Sequence, residues 1–418
     1  MRATPPRAPP STNGRPSRPM PHSESLTGRA ACVLIGTDTF PPDVNGAARF
    51  AREHAVRLAR RGHDVHVIAP ATRMRSSSGI EVYDGQRLTV HRLRSVRWPL
   101  HDWLRVAPPW EVRAQTRRIL LRVRPAVVHL QSFIDIGRGL AYEAERLDIP
   151  IIATNHVMPD NVVEFSGLPR RLHPRLTAFG WSLASTVYSR ADIVTSPTPA
   201  AAHYLESNTR LRGVVPVSCG VENDRFTPKQ DRPAENRVLF VGRLDPEKNL
   251  DTLLNAFSLI PRELAAHLDI VGSGSERSHL EGLARSLAIA DRTTFHGYVD
   301  DDRLTELHHR ATVFVMPSTA ELQSIATLEA MASGTPVVLA DAVALPHLIA
   351  SGAEGYLVHP RNAHEFADRI ERILHLDPDA YRAMSRAASA TALTHDAGVM
   401  TSRYEQLYQE SWSLAGAV

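Results

Sequence analysis

The sequence has 418 residues, 43% of them hydrophobic and 22% charged, which suits a soluble protein with room for two domains with full cores. It contains no run of eighteen apolar residues, which argues against a membrane-spanning helix. The two cysteines, Cys32 and Cys219, lie far apart and lack the spacing of a disulfide framework or a metal site, so a reducing cytoplasm is expected.

Charge is distributed unevenly along the chain. Residues 29–215 contain 26 arginines and 16 acidic residues, whereas residues 216–418 contain 18 basic and 28 acidic residues. The positive first half indicates an anionic partner, such as a membrane surface or a nucleic acid, or simply two halves that complement each other. Only two lysines, Lys229 and Lys248, accompany the arginines, so each is a candidate for a specific role.

The first part of the chain predicts a tail followed by alternating strands and helices. Residues 1–28 are rich in proline, arginine and serine and predict a disordered tail that lacks the apolar core of a secretory signal. In residues 29–215 the strands are predicted at AACVLIGTD, HDVHVIAP, AVVHLQ, IPIIATNH and ADIVTSP. The segment ARFAREHAVRLARRG predicts an amphipathic helix that ends at Gly62.

The alternation pauses at residues 216–236, a segment rich in proline, asparagine and charge that predicts a linker. It restarts in residues 237–394, where strands are predicted at RVLFVGRL, AHLDIVGSGS, TTFHGYV, TVFVMPS, TPVVLAD and GYLVHP. Short apolar strands that alternate with helices predict parallel sheets covered on both faces. We therefore expect an α/β fold of two Rossmann-like domains that face a central cleft, followed by a C-terminal segment at residues 395–418.

The loop after the strand RVLFVG carries two candidate ligand-binding cations. In open parallel sheets, ligands bind beyond the carboxyl ends of the strands. Arg243 and Lys248 bracket a turn before a helix, where positive charge and free amides suit a diphosphate. The alternative is a surface pair that bonds Asp245 or Glu247.

Glycines mark two other strand ends. Gly272 and Gly274 follow AHLDIV, and Gly46 follows the first strand, where a backbone amide could approach a ligand across the cleft. Each turn alone is unspecific, because glycine there often only lets a helix pack close to its strand.

Two glutamates separated by seven residues, Glu321 and Glu329, lie in the otherwise apolar stretch AELQSIATLEAMASGTPVVLAD. SIATLEAMAS predicts a helix closed by Gly334, with Glu321 in the loop before it and Glu329 inside it. Burying an unpaired carboxylate is costly, so we expect a polar ligand to meet Glu329. The free amides near Ser324 and Ile325 would then face phosphate. The alternative is two ordinary solvated acids.

Motifs from both halves fall in the order and spacing of one enzyme family. The second half carries VGRLDPEKN, IVGSGSE, FHGYV, VFVMPS, ELQSIATLEAMASGTPVV and EGYLVHP, and the first half carries FPPDVNGAARF, LARRGHDVHVIAP, VVHLQ, TNHVMPDN and PVSCGVENDRF. Over roughly residues 30–385 the chain resembles the family-4 glycosyltransferases of the GT-B fold. Among these it leans toward the branch of the diacylglycerol alpha-glucosyltransferases and related alpha-mannosyltransferases.

The resemblance implies roles for individual residues. Arg243 and Lys248 would hold the diphosphate of a nucleotide diphosphate sugar, and Glu329 would bind its ribose hydroxyls. Glu321 would lie beside the donor sugar, and His156 of TNHVMPDN near the reacting carbon and the acceptor. Further donor contacts are implied at Gly46, Gly272, Tyr298, Gln323, Ser324 and Ile325. The sequence departs from the family pattern at NGAA, where many members carry paired glycines, and at ELQSI, where many carry Gly-Phe-Gly.

The resemblance also implies a reaction that retains the anomeric configuration and needs neither a metal nor a cofactor. The catalytic groups would be His156, Glu321, Arg243 and Lys248, with the two cations stabilising the departing diphosphate. The acidic run Asp300–Asp302 reads better as a helix N-cap region than as a metal site. In this fold a last helix, at about residues 397–414, crosses back onto the first domain.

Four tryptophans in the first half bear on the acceptor. Trp98, Trp103, Trp110 and Trp181 stand among many arginines, a pattern that favours an anionic bilayer surface. We therefore expect a membrane-lipid acceptor, such as diacylglycerol or a phosphatidylinositol-type glycolipid, and a cytoplasmic protein at the inner face of the cell membrane. The alternative places the tryptophans in the core. Nucleic acid is not expected as a partner, because no recognised reading motif accompanies the charge.

Several alternatives stay open on sequence grounds. The donor can be UDP-glucose or GDP-mannose, and the acceptor can be a soluble polyol, saccharide or secondary metabolite. A nucleotide-sugar epimerase of the same fold and a non-catalytic membrane-surface binder are the rival functions.

Overall fold

The computed structural model describes residues 30–43, 45–97, 105–164, 169–229 and 231–416. The tail at 1–28 and the tryptophans Trp98 and Trp103 lie outside the described residues. The described chain forms two α/β halves, each built around one sheet, which confirms the expected architecture.

The described residues of the first half form ten strands and six α-helices. Its strands are β1 (Cys32–Gly36), β2 (Asp64–Pro70), β3 (Ser77–Tyr83), β4 (Gln86–Leu93), β5 (Val96–Arg97), β6 (Arg105–Val106), β7 (Val127–Leu130), β8 (Ile151–Thr154), β9 (Ile193–Ser196) and β10 (Val215–Pro216). Its helices are α1 (Gly46–Arg60), α2 (Pro109–Val123), α3 (Asp135–Arg146), α4 (Pro159–Glu164), α5 (His173–Tyr188) and α6 (Pro199–Asn208). The sheet order is β10-β9-β8-β7-β1-β2-β4-β3, and β5 and β6 form a separate pair.

The second half is the more regular of the two. Its strands are β11 (Arg237–Val241), β12 (His267–Val271), β13 (Thr293–Gly297), β14 (Val313–Met316), β15 (Val337–Ala340) and β16 (Gly355–Val358). Its helices are α7 (Leu250–Leu259), α8 (Arg277–Ser286), α9 (Asp301–Arg310), α10 (Ile325–Ala332), α11 (Ala363–Leu374) and α12 (Pro378–Leu393), and the chain ends in α13 (Ala397–Gly416). The sheet order is β13-β12-β11-β14-β15-β16, and all its pairs are parallel.

The apolar strands are continuous because both faces of each sheet are covered. Val33, Leu34 and Ile35 of β1 are all fully buried. Leu34 packs with the residues of α2, α3 and α5, whereas Val33 and Ile35 pack with those of α1 and α13. Successive side chains of a strand point to opposite faces, so a strand between two helical layers must be apolar at every position.

The sequence analysis missed an antiparallel hairpin of the first sheet. The strands β3 and β4 form an antiparallel hairpin at the edge of the otherwise parallel first sheet. Asp84 and Gly85 connect them with positive φ angles of 48° and 76°. An Asp-Gly pair between alternating apolar residues is a strong hairpin signal, so the sequence contained this information.

The helix α13 returns to the first half after the chain has left the second. The outgoing and returning segments lie side by side, since Val221 N donates to His395 O over 2.9 Å and Ala397 N donates to Val221 O over 3.0 Å. Tyr404 and Tyr408 of α13 are then buried in the core beside α1. The two halves are therefore joined by two adjacent crossings.

Lys229, one of the two lysines, has a structural role. Its ammonium donates to the carbonyl oxygens of His308 at 3.2 Å and Ala311 at 2.5 Å, and to Thr335 Oγ1 at 2.7 Å. These carbonyls lie at the C-terminal end of α9, where a cation is favourable. The scarcity of lysine therefore does not mark this position as a ligand-binding site.

A buried chain of polar groups fixes α13 onto the first sheet. The Tyr408 hydroxyl lies 2.7 Å from His54 Nε2 and 2.8 Å from His129 Nδ1, and His129 Nε2 lies 2.7 Å from Thr154 Oγ1. All four side chains are buried. Buried polar groups that lose their partner cost the full desolvation penalty, so this chain should be sensitive to the loss of one atom.

Replacing Tyr408 by phenylalanine should lower the free energy of unfolding by about 1–3 kcal/mol, because two buried imidazole nitrogens lose their partner. Guanidinium unfolding followed by circular dichroism measures this. The matched control is Tyr404→Phe on the same helix, whose hydroxyl lies a long 3.4 Å from Thr154 Oγ1. Equal losses in the two variants would contradict a specific role for the Tyr408 hydroxyl.

Acid should destabilise the protein through the same imidazoles. Burial lowers the pKa of His129 to about 3, and burial together with nearby His129 and Arg57 lowers the pKa of His54 well below its usual value. In the unfolded chain both titrate near pH 6.5, so below that pH unfolding takes up protons and stability falls with pH. His129→Gln should flatten this slope by about 1.4 kcal/mol per pH unit between pH 6 and 4. An unchanged slope in unfolding titrations would show that His129 is not held neutral.

Candidate functional site

The candidate site lies where the carboxyl ends of the strands of the two halves face each other. The second half contributes the loops after β11 and β14 and the start of α10. The first half contributes the start of α1 and the loop after β8. Most of the residues singled out in the sequence lie on these segments.

The loop after β11 presents Arg243 among acids of its own half. Its guanidinium contacts Asp245 and donates through Nη2 to Glu247 Oε1 over 2.7 Å. This is the pairing that the sequence analysis weighed as the alternative to diphosphate binding. Burial raises the pKa of Glu247, and the Arg243 charge opposes that rise. The Arg243 side chain is still 27% exposed.

Two predicted site residues from different loops meet directly. Lys248 Nζ lies 2.6 Å from Glu321 Oε1, and both side chains are largely buried, at 12% and 11% exposure. Lys248 follows β11 and Glu321 follows β14, which are neighbouring strands of the second sheet. An ammonium and a carboxylate therefore stand together at the edge of the cleft.

The carboxylate of Glu329 already has a cationic partner. Glu329 lies one turn inside α10 and is 1% exposed, and the Arg49 guanidinium of α1 lies against it. Glu329 is therefore not an unpaired acid in this structure, and the contact with ribose hydroxyls that the resemblance implies stays a prediction. Arg49 was missed because it belongs to the other half of the chain. Burial raises the pKa of Glu329, and the positive charge of Arg49 opposes that rise.

The N-terminus of α10 has a regular cap. Ser324 is the N-cap residue, and its hydroxyl accepts a hydrogen bond from Thr327 N over 3.3 Å. Ile325 is the first helical residue, so its amide belongs to the group left free at a helix start. These amides and the positive end of the helix suit an anion.

The side chain of Gln323 forms hydrogen bonds to residues 218 and 219, just after β10. Its Oε1 accepts from Cys219 N over 2.7 Å, and its Nε2 donates to Ser218 Oγ over 2.9 Å. Gln323 thus ties the loop before α10 to the segment that enters the linker. The donor contact that the resemblance implies for Gln323 stays a prediction.

Gly272 and Gly274 serve close packing of the backbone. A Cβ atom would lie 1.9 Å from Gly242 O at the first position and 2.4 Å from Leu244 O at the second, and Gly272 has a φ of 129°. Both contacts are with the loop that carries Arg243. The glycines therefore position that loop, whether or not Gly272 also touches a ligand.

Two predicted donor contacts are exposed. Gly46 is the first residue of α1 and has nothing within 4 Å of the place where a Cβ would stand, so a ligand could approach its backbone. Tyr298 follows β13 and is 70% exposed.

His156 contributes a neutral imidazole from the first half. Its ring packs against Phe50 of α1 with 4.5 Å between centroids. Its Nε2 is buried and has no hydrogen-bond partner among the described residues. Burial lowers the pKa of His156 to about 3, so the ring is uncharged at neutral pH. It can orient a hydroxyl group, but it is a weak base.

Two acidic features lie outside this set. Asp300 is the N-cap of α9 and accepts from Arg303 N over 2.8 Å, which confirms the expected capping role. Cys32, Asp64 and His66 have ligand atoms within 4.8 Å of one another, although the sequence spacing of the cysteines had suggested no metal site. They lie at the amino ends of β1 and β2, at the sheet edge opposite the cleft.

The two described tryptophans of the first half, Trp181 and Trp110, differ in exposure. Trp181 is 5% exposed and donates through Nε1 to Asp160 Oδ2 over 3.1 Å, so its expected surface role is wrong. Trp110, at the start of α2, is 73% exposed. Phe179 of α5 is 68% exposed, and the sequence analysis missed it. Among the described residues, no helix combines the length and apolar character needed to cross a bilayer.

Two family models match consecutive parts of the chain. The model described as Glycosyltransferase Family 4 matches residues 44–225, and Glycosyl transferases group 1 matches residues 222–391. The first therefore covers the half with α1 and His156, and the second covers the half with Arg243, Lys248, Glu321 and Glu329.

Similar proteins include several named glycosyltransferases. A GDP-mannose-dependent alpha-mannosyltransferase of Mycobacterium tuberculosis is 29% identical over 360 residues, which are 82% of this chain and 88% of that protein. A D-inositol 3-phosphate glycosyltransferase of Mycobacteroides abscessus is 29% identical over 356 residues, 79% of this chain and 77% of that protein. An uncharacterized glycosyltransferase of Methanocaldococcus jannaschii is 37% identical over 157 residues, only 38% of each chain.

The fold is shared with a solved structure. Sucrose-phosphate synthase from Thermosynechococcus elongatus superposes with a TM-score of 0.76 and 22% identity, and the match covers 92% of this chain and 100% of that one. The two family models match consecutive parts of the chain, and the two-sheet architecture matches that of the solved structure. The chain therefore belongs to the family-4 glycosyltransferases of the GT-B fold, which are enzymes that transfer a sugar from a nucleotide sugar.

Proposed function

We propose that this enzyme transfers a hexose, glucose or mannose, from a nucleotide diphosphate sugar to an acceptor hydroxyl with retention of the anomeric configuration. The observation that carries the proposal is the pair of Lys248 and Glu321, 2.6 Å apart at the edge of the cleft. It joins a cation suited to a leaving phosphate with a carboxylate suited to sugar hydroxyls. The relative named as a GDP-mannose-dependent alpha-mannosyltransferase supports mannose as one of the two sugars.

The cleft offers electrostatic stabilisation of the departing diphosphate. Arg243, Lys248 and the free amides near Ile325 would surround the phosphates as negative charge develops on them. These two cations supply positive charge of the kind that a metal ion supplies in other transferases. In this proposal the departing phosphate takes the proton of the acceptor hydroxyl, and the neutral His156 orients that hydroxyl. Ser324 and Glu329 complete the donor site, with the Glu329 carboxylate accepting hydrogen bonds from the ribose hydroxyls.

We further propose that the acceptor is a membrane lipid, such as diacylglycerol or a phosphatidylinositol-type glycolipid. The helices α2 and α5 both pack against α3, so the exposed Trp110 and Phe179 stand on one helical layer of the first half. Three arginines that shortly precede Phe179 in the sequence, at positions 170, 171 and 175, are also exposed. Exposed aromatic rings beside arginines favour the surface of an anionic bilayer.

A soluble polyol phosphate is the second candidate acceptor. It is favoured by the relative named as a D-inositol 3-phosphate glycosyltransferase, which is similar along 79% of this chain. Such an acceptor would need the cleft but not the exposed aromatic residues. The two candidates therefore predict different results for the surface variants.

The activity itself is tested by incubating the protein with radiolabelled UDP-glucose or GDP-mannose and either a bacterial lipid extract or inositol phosphate. A labelled glycolipid supports the lipid acceptor, and a labelled soluble glycoside supports the polyol. An epimerised free nucleotide sugar would contradict transfer in favour of the rival epimerase. The absence of any product with both donors and all acceptors would contradict the proposed reaction.

Glu321→Gln should separate binding of the nucleotide from placement of the sugar. The change removes the partner charge of Lys248 but not Lys248 itself, so affinity for the free nucleoside diphosphate should stay the same or rise. Turnover of the nucleotide sugar should fall about a hundredfold or more, because a charged acceptor of sugar hydroxyl bonds is lost. Calorimetry and initial rates measure the two effects.

The control for that variant is Arg285→Ala, which removes an exposed charge from the second half at the end of α8. It should change neither quantity. A large loss of nucleotide affinity in Glu321→Gln would place the carboxylate against the nucleotide instead of the sugar.

The surface variants Trp110→Ala and Phe179→Ala should each weaken binding to vesicles that contain anionic lipid by about tenfold, because each removes apolar area that enters the interface. Vesicle sedimentation at low and high salt measures this, and binding should fall with salt. The control is Leu393→Ala, which removes an exposed apolar side chain from the second half. Unchanged vesicle binding in both aromatic variants would contradict docking through this surface.

A further inference from the structure

The position of Arg49 bears on how a donor could reach Glu329. Arg49 lies in the first turn of α1, three residues after Gly46, and its guanidinium covers the Glu329 carboxylate from across the cleft. Glu329 is 1% exposed with Arg49 in this position, whereas Arg49 itself is 28% exposed. A ligand hydroxyl therefore cannot contact Glu329 unless Arg49 moves.

The carboxylate is paired in charge but not saturated in hydrogen bonds. The Arg49 guanidinium lies in contact with one carboxylate oxygen, and no other described residue gives either oxygen a hydrogen bond. The next nearest group is His308, whose Nε2 lies 3.8 Å away and whose ring is fully buried. Burial lowers the pKa of His308 to about 3, so it adds no charge. Two hydroxyl donors would supply the missing bonds.

Arg49 also has a second carboxylate to hold it. Its Nε donates to Glu53 Oε1 over 2.7 Å, one turn further along α1. Glu53 is itself supported by Arg57, 3.6 Å away. Arg49 can therefore leave Glu329 and stay paired, which keeps the cost of the exchange moderate.

We propose that Arg49 is the gate of the ribose subsite: it competes with the ribose hydroxyls of the donor for Glu329, and on donor binding it leaves Glu329 and stays paired with Glu53. This inference rests on the proposed function, in which Glu329 binds the ribose. Arg49 is a positioning residue, because it acts on the nucleotide through Glu329. Since Arg49 stands on the first half and Glu329 on the second, the exchange releases a contact between α1 and α10 when the donor enters.

The test compares two ligands that differ only in the hydroxyls. A nucleoside diphosphate and its 2′,3′-dideoxy analogue are titrated into the full-length protein by calorimetry, with both UDP and GDP as the parent nucleotides. The ratio of the two dissociation constants isolates the ribose, because any effect of Arg49 on the diphosphate changes both constants equally. In wild type the ratio is reduced by the cost of displacing Arg49.

Arg49→Gln should raise the preference for the ribonucleotide at least tenfold, since the bonds to Glu329 then form without displacement. Adding Glu329→Gln to this variant should abolish the gain. Arg49→Lys keeps the positive charge but not the planar, forked guanidinium, and it should give an intermediate ratio. Because it keeps a cation at this position, it also serves as a control for misfolding of Arg49→Gln. The matched control is Arg52→Gln on the next turn, which removes a charge 3.7 Å from Glu53 and should leave the ratio unchanged.

An unchanged or smaller preference in Arg49→Gln would overturn the gate, while binding of the nucleotide to wild type would still uphold the proposed function. Failure of wild type to bind either nucleotide would overturn the proposed function and the gate with it. The two failures are therefore distinguishable in one set of titrations.

Discussion

Each buried carboxylate at the donor side of the cleft is paired with a cation, and the rest of the site depends on this pairing. Glu321 is held by Lys248 and Glu329 by Arg49. A buried carboxylate without a partner would be costly, yet catalysis of sugar transfer needs carboxylates that can accept hydroxyl groups. Pairing with a cationic side chain meets the first condition. In the mechanism proposed above, binding of an anionic sugar nucleotide meets the second, because the cation then exchanges its partner.

The backbone keeps these charges within reach of one another. The loop with Arg243 is fixed by the close approach of Gly272 and Gly274. Ser318 Oγ and Thr319 N both donate to Glu247 O, so the loops after β11 and β14 are bonded to each other. This explains how residues about seventy positions apart in sequence, such as Lys248 and Glu321, form a close pair.

Much of the fold could be predicted because parallel sheets leave a simple pattern. Apolar runs gave the strands between two helical layers, and Gly334, with a φ of 68°, follows α10 as expected. The β3–β4 hairpin was missed although the Asp84-Gly85 pair is typical of a hairpin turn. Lysine is rare in this sequence, yet Lys229 has a structural role at the end of α9. The segment with Trp181 and Phe179 was identified from the sequence, but which of the two rings is buried and which is exposed could not be predicted.

The pairing across the cleft could not be predicted, because it depends on how the two halves meet. Nothing in the local pattern of α1 connects Arg49 with a carboxylate 280 positions away. The account is tested most directly by a crystal structure of the protein with a nucleoside diphosphate bound. It predicts phosphate oxygens within hydrogen-bond distance of Arg243 and Lys248, with the ribose on Glu329 and Arg49 paired with Glu53 alone. Phosphates bound away from both cations, with Arg49 still on Glu329, would contradict it.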